Sequence, residues 1–106
     1  MSTFGYGYSI LTTTMLNGSG TGTLNSDIYT VPANCFSIVT GARVTGVGNC
    51  SASVANRYNI VGPTATEANG NVSGGAYVPA GESIRVTTSG SGAYTYSVGI
   101  VTFKNT

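Results

Sequence analysis

The side chains of this sequence alternate between apolar and polar, and turn residues interrupt the alternation about every 8–12 positions. No other feature of the sequence limits the possible folds as much. In the run 35–45, every second residue from Phe36 to Val44 falls on one face. Alternation with period two predicts β-strands, and β-branched side chains fit a pleated surface. The apolar residues agree with this, because the chain has 11 Val and 6 Ile but only 3 Leu. We therefore predict an all-β domain with the run 35–45 as a central strand.

Turn residues divide the sequence into about seven or eight strands. Antiparallel strands at this spacing are typical of a β-sandwich or a jelly roll, and no room remains for βαβ units. We assign residues 9–106 to one such domain and residues 1–8 to an N-terminal arm. In the last strand, 93–104, Gly99 is predicted to mark a bulge where the apolar face switches. The predicted turns and loops are 17–20, 32–34, 46–49, 63–71, 79–81 and 89–92.

The two cysteines are Cys35 and Cys50. We predict that each begins its own strand and that a hairpin through 46–49 joins the two strands. Cys50 would then lie near Val44, about nine residues from Cys35, which is roughly 30 Å at the rise of a strand. A disulfide requires Cα atoms within about 7 Å. The prediction is therefore two buried free thiols.

Half of the 106 residues are Gly, Ser, Thr or Asn, only seven are charged, and none is His. A net charge of +1 supplies no basic field for binding nucleic acid. Without His there is no imidazole to act as a base or a metal ligand. The carboxylates of Asp27 and Glu82 suit solvated positions, Glu67 belongs to a predicted polar loop, and no Asp-X-Asp calcium loop is present. We predict no catalytic residue, no cofactor and no metal site.

The first residues lack the basic region and the apolar run of a signal peptide. No segment approaches the roughly 20 apolar residues of a membrane helix. We expect a soluble protein that is made in a cytoplasm and has no membrane partner.

Arginine and tyrosine are enriched at the centres of protein interfaces, and this chain has seven Tyr beside its few charges. We predict that Arg43, Arg57 and Arg85 lie in mid-strand on outward faces. Two interpretations stay open for them. They are solvated charges paired with Glu67 or Glu82, or they are anchors of a protein interface.

The N-terminal arm supplies the remaining interface candidates, which are aromatic. They are Phe4, Tyr6 and Tyr8.

Two Val-Pro-Ala corners, at 31–33 and 78–80, each lie between two predicted strands. The first belongs to Ile-Tyr-Thr-Val-Pro-Ala (28–33) and leads to Ile-Val-Thr-Gly-Ala-Arg-Val-Thr (38–45). The second belongs to Tyr-Val-Pro-Ala-Gly-Glu-Ser-Ile-Arg-Val-Thr-Thr (77–88) and leads through a Gly/Ser turn to a Tyr/Val strand. Over residues 27–103 the pattern resembles small β-sandwich structural proteins of tailed-bacteriophage virions, of the capsid decoration (cement) type.

The resemblance implies a homotrimer on the capsid surface of a virion, made in the host cytoplasm. It would bind the major capsid protein and stabilise the head lattice, with many copies acting across subunit seams and the arm 1–8 lying along a capsid subunit. The resemblance carries over no catalytic residue. Alternatives are a phage tail, neck or fibre component, or a receptor- or carbohydrate-binding β-sandwich that uses exposed Tyr. An enzyme is disfavoured by the missing His and the few carboxylates.

Overall fold

A computed structural model describes residues 8–54 and 57–105, without the side chains of residue 8 and of residues 71–74. These residues form antiparallel β-strands and no helix, which confirms the predicted all-β class. The described ranges hold six strands: β1 (Tyr8–Thr21), β2 (Leu24–Thr30), β3 (Cys35–Val54), β4 (Tyr58–Val78), β5 (Ser83–Thr88) and β6 (Ala93–Asn105).

The long strands β3 and β4 build two halves of one curled sheet. Residues 35–45 of β3 pair with β6, whereas residues 50–54 pair with β5. β4 follows β3 on its other side throughout. The strand order is therefore β1-β6-β3-β4 in one half and β2-β5-β3-β4 in the other. Because β3 and β4 take part in both halves, six continuous strands form eight strand segments. Tyr29 of β2 reaches from one half to Thr102 of β6 in the other, which makes the curled sheet sandwich-like.

Two of the predicted interruptions are wrong, because β3 and β4 continue through them. Residues 46–49 are not a hairpin turn but a bend in β3, where the strand leaves β6 and joins β5. The carbonyl oxygens of Val47 and Asn49 accept hydrogen bonds from Gly90 and Ser89 of the β5–β6 turn, at 2.8 and 3.0 Å. Residues 63–71, predicted as a loop, belong to β4. The predicted turns 32–34, 79–81 and 89–92 are confirmed.

The Gly-rich segment 17–20 is also strand, not turn. Gly18 lies opposite Tyr96 of β6, and Gly20 lies opposite Tyr94. A side chain at Gly18 would collide with the Tyr96 ring, and one at Gly20 with the Tyr94 ring. Glycine is used here so that two tyrosine rings can cover the backbone of the neighbouring strand.

A bulge at Thr40 decides which side chains of β3 enter the core. Val39 faces Ile100 and Gly41 faces Gly99, so Thr40 has no opposite residue. The buried face therefore changes from the odd-numbered residues 35–39 to the even-numbered residues 42–44. The predicted single face from Phe36 to Val44 is wrong for this reason. The predicted switch in β6 is wrong too, because residues 98, 100 and 102 stay buried across Gly99.

The core is made of medium-sized and small apolar side chains from both halves of the sheet. Valine predominates, as the composition predicts for packing between pleated surfaces. The buried apolar residues are Val31, Cys35, Val39, Ala42, Val44, Cys50, Ala52, Val54, Ala68, Ala76, Val78, Ile84, Val86, Val98 and Ile100.

Both cysteines are buried and free, as predicted. The geometry differs from the predicted one, because Cys35 and Cys50 lie on the same strand, β3. Burial raises the pKa of the Cys50 thiol above its ordinary value of 9.0, because the charged thiolate is poorly solvated there.

Three hydroxyl groups form a hydrogen-bonded network within the sheet. Thr102 Oγ1 is hydrogen bonded to Ser37 Oγ at 2.7 Å and to the Tyr29 hydroxyl at 2.8 Å. Ser37 and Thr102 are fully buried. Among the described residues, no buried side-chain nitrogen or oxygen atom lacks a hydrogen-bond partner.

Thr102→Val is expected to lower the free energy of unfolding by about 1–3 kcal/mol, because it leaves the buried Ser37 hydroxyl without a side-chain partner. Thr30→Val is the matched control, since Thr30 Oγ1 bonds Ser83 Oγ at 2.7 Å in an exposed pair, and it should cost less than about 0.5 kcal/mol. Urea denaturation measures both variants. Adding Ser37→Ala to Thr102→Val should recover part of the loss, and equal losses in the two single variants would contradict this role of the network.

Candidate interaction surface

All three carboxylates of the chain form ion pairs with arginines of the same chain. Each pair joins residues distant in sequence on neighbouring strands or turns. Exposed ion pairs contribute little to stability, but here they leave none of the three acidic side chains unpaired. The pairs are Arg43 Nε–Glu67 Oε2 at 3.0 Å, Arg57 Nε–Glu82 Oε1 at 2.8 Å and Arg85 Nε–Asp27 Oδ1 at 2.7 Å.

The pairing of Arg43 and Arg57 matches the first of the two interpretations, in which Glu67 and Glu82 are partners. Arg85 pairs instead with Asp27, which that interpretation did not include. Arg43 and Arg85 lie within strands, but Arg57 lies in the turn that precedes β4 and not in mid-strand. The hydrogen bond from Arg57 to Glu82 raises the pKa of the guanidinium above its ordinary value. The hydrogen bond from Arg85 to Asp27 has the same effect on the pKa of Arg85.

The three arginines pair with three different carboxylates, and Arg43 lies in the half of the sheet that pairs with β6, whereas Arg85 lies on β5 in the other half. Their role as interface anchors therefore stays a prediction. Of the aromatic candidates, Phe4 and Tyr6 lie outside the described residues, as does the rest of the predicted arm up to residue 7. Tyr8, the last residue of the predicted arm, begins β1 and faces Asn105.

Groups suited to catalysis or metal binding are sparse in the described part of the chain. No three His, Cys, Asp or Glu side chains lie close enough there to hold a metal ion. A search of the same residues found no helix that is long and apolar enough to span a membrane.

Apolar side chains cross the outward face of the β1-β6-β3-β4 half. Ile10 faces Phe103, and Phe103 faces Phe36 across the next pair of strands. The Phe36 and Phe103 rings stack with centroids 5.0 Å apart, and the Tyr77 ring lies 5.6 Å from Phe36. Ile10 and Tyr77 are 63% and 54% exposed, while both phenylalanines are half-buried. We call Ile10, Phe36, Tyr77 and Phe103 the outer patch.

Alternation in the sequence does not reveal the outer patch, because it predicts Phe36 on the same face as Val44. The bulge at Thr40 places them on opposite faces, with Val44 inside and Phe36 outside. A usable signal did exist. Phe36 and Phe103 alternate with the polar residues Ser37 and Thr102, which are the residues the fold buries.

A shallow groove lies on the same outward face, at residues other than those of the outer patch. Its volume is about 240 Å³, and it lies where Gly41 of β3 and Gly99 of β6 face each other. Met15 and Arg43 border it. The groove contains no carboxylate, so it offers an uncharged floor beside an ion-paired arginine.

Comparison with known families, with curated proteins and with solved structures yields no match to this chain.

Proposed function

We propose that this chain is a structural protein of a tailed-bacteriophage virion, most specifically a capsid decoration protein. In this role it acts as a homotrimer on the capsid surface and binds the major capsid protein. The observation that carries the proposal is an apolar outer patch on a chain whose three acidic side chains all pair with its own arginines. Such a surface suits lasting contact with neighbouring subunits better than recognition of a charged ligand.

The outer patch is the surface assigned to contacts between copies. Ile10 and Tyr77 expose apolar area at opposite ends of a continuous row of side chains. An uncharged patch meets its own copy without repulsion between like charges. In a cyclic trimer, residues close to the axis contact their symmetry mates, so one patch can serve all three copies.

The test of this assignment compares Ile10→Lys and Tyr77→Lys with Asn25→Lys. Asn25 is exposed on β2, in the other half of the sheet, and serves as the control. Sedimentation equilibrium should show trimers for the wild type and for Asn25→Lys. Each patch variant should weaken association by about tenfold or more, because burying an unpaired ammonium group is costly.

The function itself is tested by cosedimentation with capsids assembled from the major capsid protein of the virus that carries this chain. Saturable binding at a fixed ratio to capsid subunits, and greater resistance of the loaded capsids to heat, are the expected results. A wild-type chain that binds purified tails, or glycans on an array, but not capsids would overturn the decoration role in favour of the tail or carbohydrate alternatives.

A further inference from the structure

Three strands of the described sheet have a free edge, and only two of these edges carry ordinary protection against strand pairing. β2 is seven residues long, contains Asp27 and has a register shift between Asp27 and Tyr29. β4 contains Pro63, several register shifts and a positive φ at Thr66. Both edges are irregular and carry a charged residue, which disfavours pairing with a further strand.

The edge of β1 lacks most of these protective features. The strand is 14 residues long and contains no charged residue and no proline. Its one irregularity is a register shift between Ile10 and Thr12, after which pairing with β6 runs without interruption to Thr21. Ten consecutive residues, 12–21, therefore present a regular and uncharged free edge.

The direction of the backbone groups along this edge follows from one hydrogen bond. Gly22 N donates to Gly92 O at 2.8 Å, one step beyond the pair formed by Thr21 and Ala93. In an antiparallel ladder, hydrogen-bonded pairs alternate with pairs that are not bonded. Even-numbered residues of 12–21 therefore bond to β6, while the amide and carbonyl groups of Thr13, Met15 and the following odd-numbered residues point to the free edge.

We propose that the β1 edge, residues 12–21, binds an extended and uncharged segment of the capsid protein as an added strand. The inference rests on the proposed function and names how its partner is held. The segment must be uncharged because β1 offers no charged side chain to pair with one. Backbone hydrogen bonds supply the affinity in strand addition, and the alternating side chains supply the selectivity.

A second copy of the chain is the competing occupant, and the symmetry of the proposed homotrimer argues against it. Antiparallel pairing of β1 with another β1 is a two-fold contact that closes with two copies. It would leave the third copy of a trimer unpaired. With the outer patch joining the copies, the β1 edge remains available to a different chain.

Proline at an odd-numbered position tests the edge directly, because it deletes one outward amide and no bond to β6. Thr13→Pro and Ser19→Pro should each reduce capsid binding by about five- to tenfold, the effect of one lost backbone hydrogen bond. The matched controls Thr13→Val and Ser19→Ala keep the amide and should bind normally. All four variants should remain trimeric, and thermal denaturation checks that the proline variants are folded.

Hydrogen exchange on the wild-type chain tests the same edge without any substitution. Peptides covering 12–21 should lose fast-exchanging amides when capsids are added, whereas peptides from β2 should be unchanged. Capsid binding without this protection would overturn the edge proposal and leave the decoration role intact. No capsid binding by the wild type would overturn the decoration role itself. Protection that rises with protein concentration in the absence of capsid would show that β1 pairs with a second copy instead.

Discussion

Gly62→Ala is expected to lower the free energy of unfolding by about 3 kcal/mol or more, the sum of backbone strain and steric overlap. Gly62 has φ of 77°, in the left-handed region that favours glycine. An added Cβ would also overlap the carbonyl oxygen of Cys50 and approach Ser51 Cα and Ala68 Cβ to 3.1 Å. Two of these three neighbours are backbone atoms of β3, which cannot rotate away.

Gly81→Ala is the matched control for this prediction. Gly81 has φ of 83°, almost the same as Gly62, but a Cβ there would have no neighbour within 4 Å. Gly81→Ala therefore introduces backbone strain without steric overlap, and this strain should lower the free energy of unfolding by about 1–2 kcal/mol. Urea denaturation of both variants separates strain from overlap. Equal losses of unfolding free energy in the two variants would mean that β3 and β4 move apart at Gly62 at little cost and accommodate the added Cβ.

Ile84→Ala is expected to cost about 2–5 kcal/mol of unfolding free energy, because it opens a cavity in a closely packed core. Ile84 is fully buried on β5, beside Val54 of β3 and Tyr29 of β2. Ile10→Ala, the same substitution at an exposed residue of the outer patch, should change stability by less than about 0.5 kcal/mol.

The two isoleucine variants together separate folding from association. In denaturation experiments, Ile84→Ala should lose far more stability than Ile10→Ala. In sedimentation under native conditions, Ile10→Ala should show the larger loss of association. Ile10→Ala is expected to stay folded while associating more weakly, because it removes apolar area from the proposed contact between copies. A large loss of stability in Ile10→Ala under monomeric conditions would show that the outer patch belongs to the core and not to an interface.

The class of the fold could be read from the sequence because alternation and turn chemistry are local properties. The corners at 32–34 and 79–81 each contain proline, and the turn at 89–92 contains two glycines. Free thiols could be predicted for a similar reason, since two cysteines on extended chain stay far apart. The continuity of β3 could not be read, because Gly46 and Gly48 permit a turn and a bend equally well. Hydrogen bonds from residues 89 and 90, distant in sequence, decide between the two.

The interaction surface was harder to predict than the fold, and the reason is the single bulge at Thr40. One residue without an opposite partner reverses the orientation of every later side chain in the strand. Nothing in the local sequence distinguishes Thr40 from its neighbours, so simple alternation predicts Phe36 on the same face as Val44. That Arg43 and Arg57 pair with carboxylates could be predicted, because the chain has four basic and three acidic residues.

The three ion pairs also bear on how fast the molecule meets other molecules. Neutralising each carboxylate in place leaves little electric field at distances beyond the Debye length of about 8 Å. Encounters would then proceed at the unsteered rate of about 10⁵–10⁶ M⁻¹ s⁻¹, whether the surrounding salt is dilute or concentrated. At the proposed capsid contact, occupancy would then be governed by local concentration and residence time, with little dependence on ionic strength.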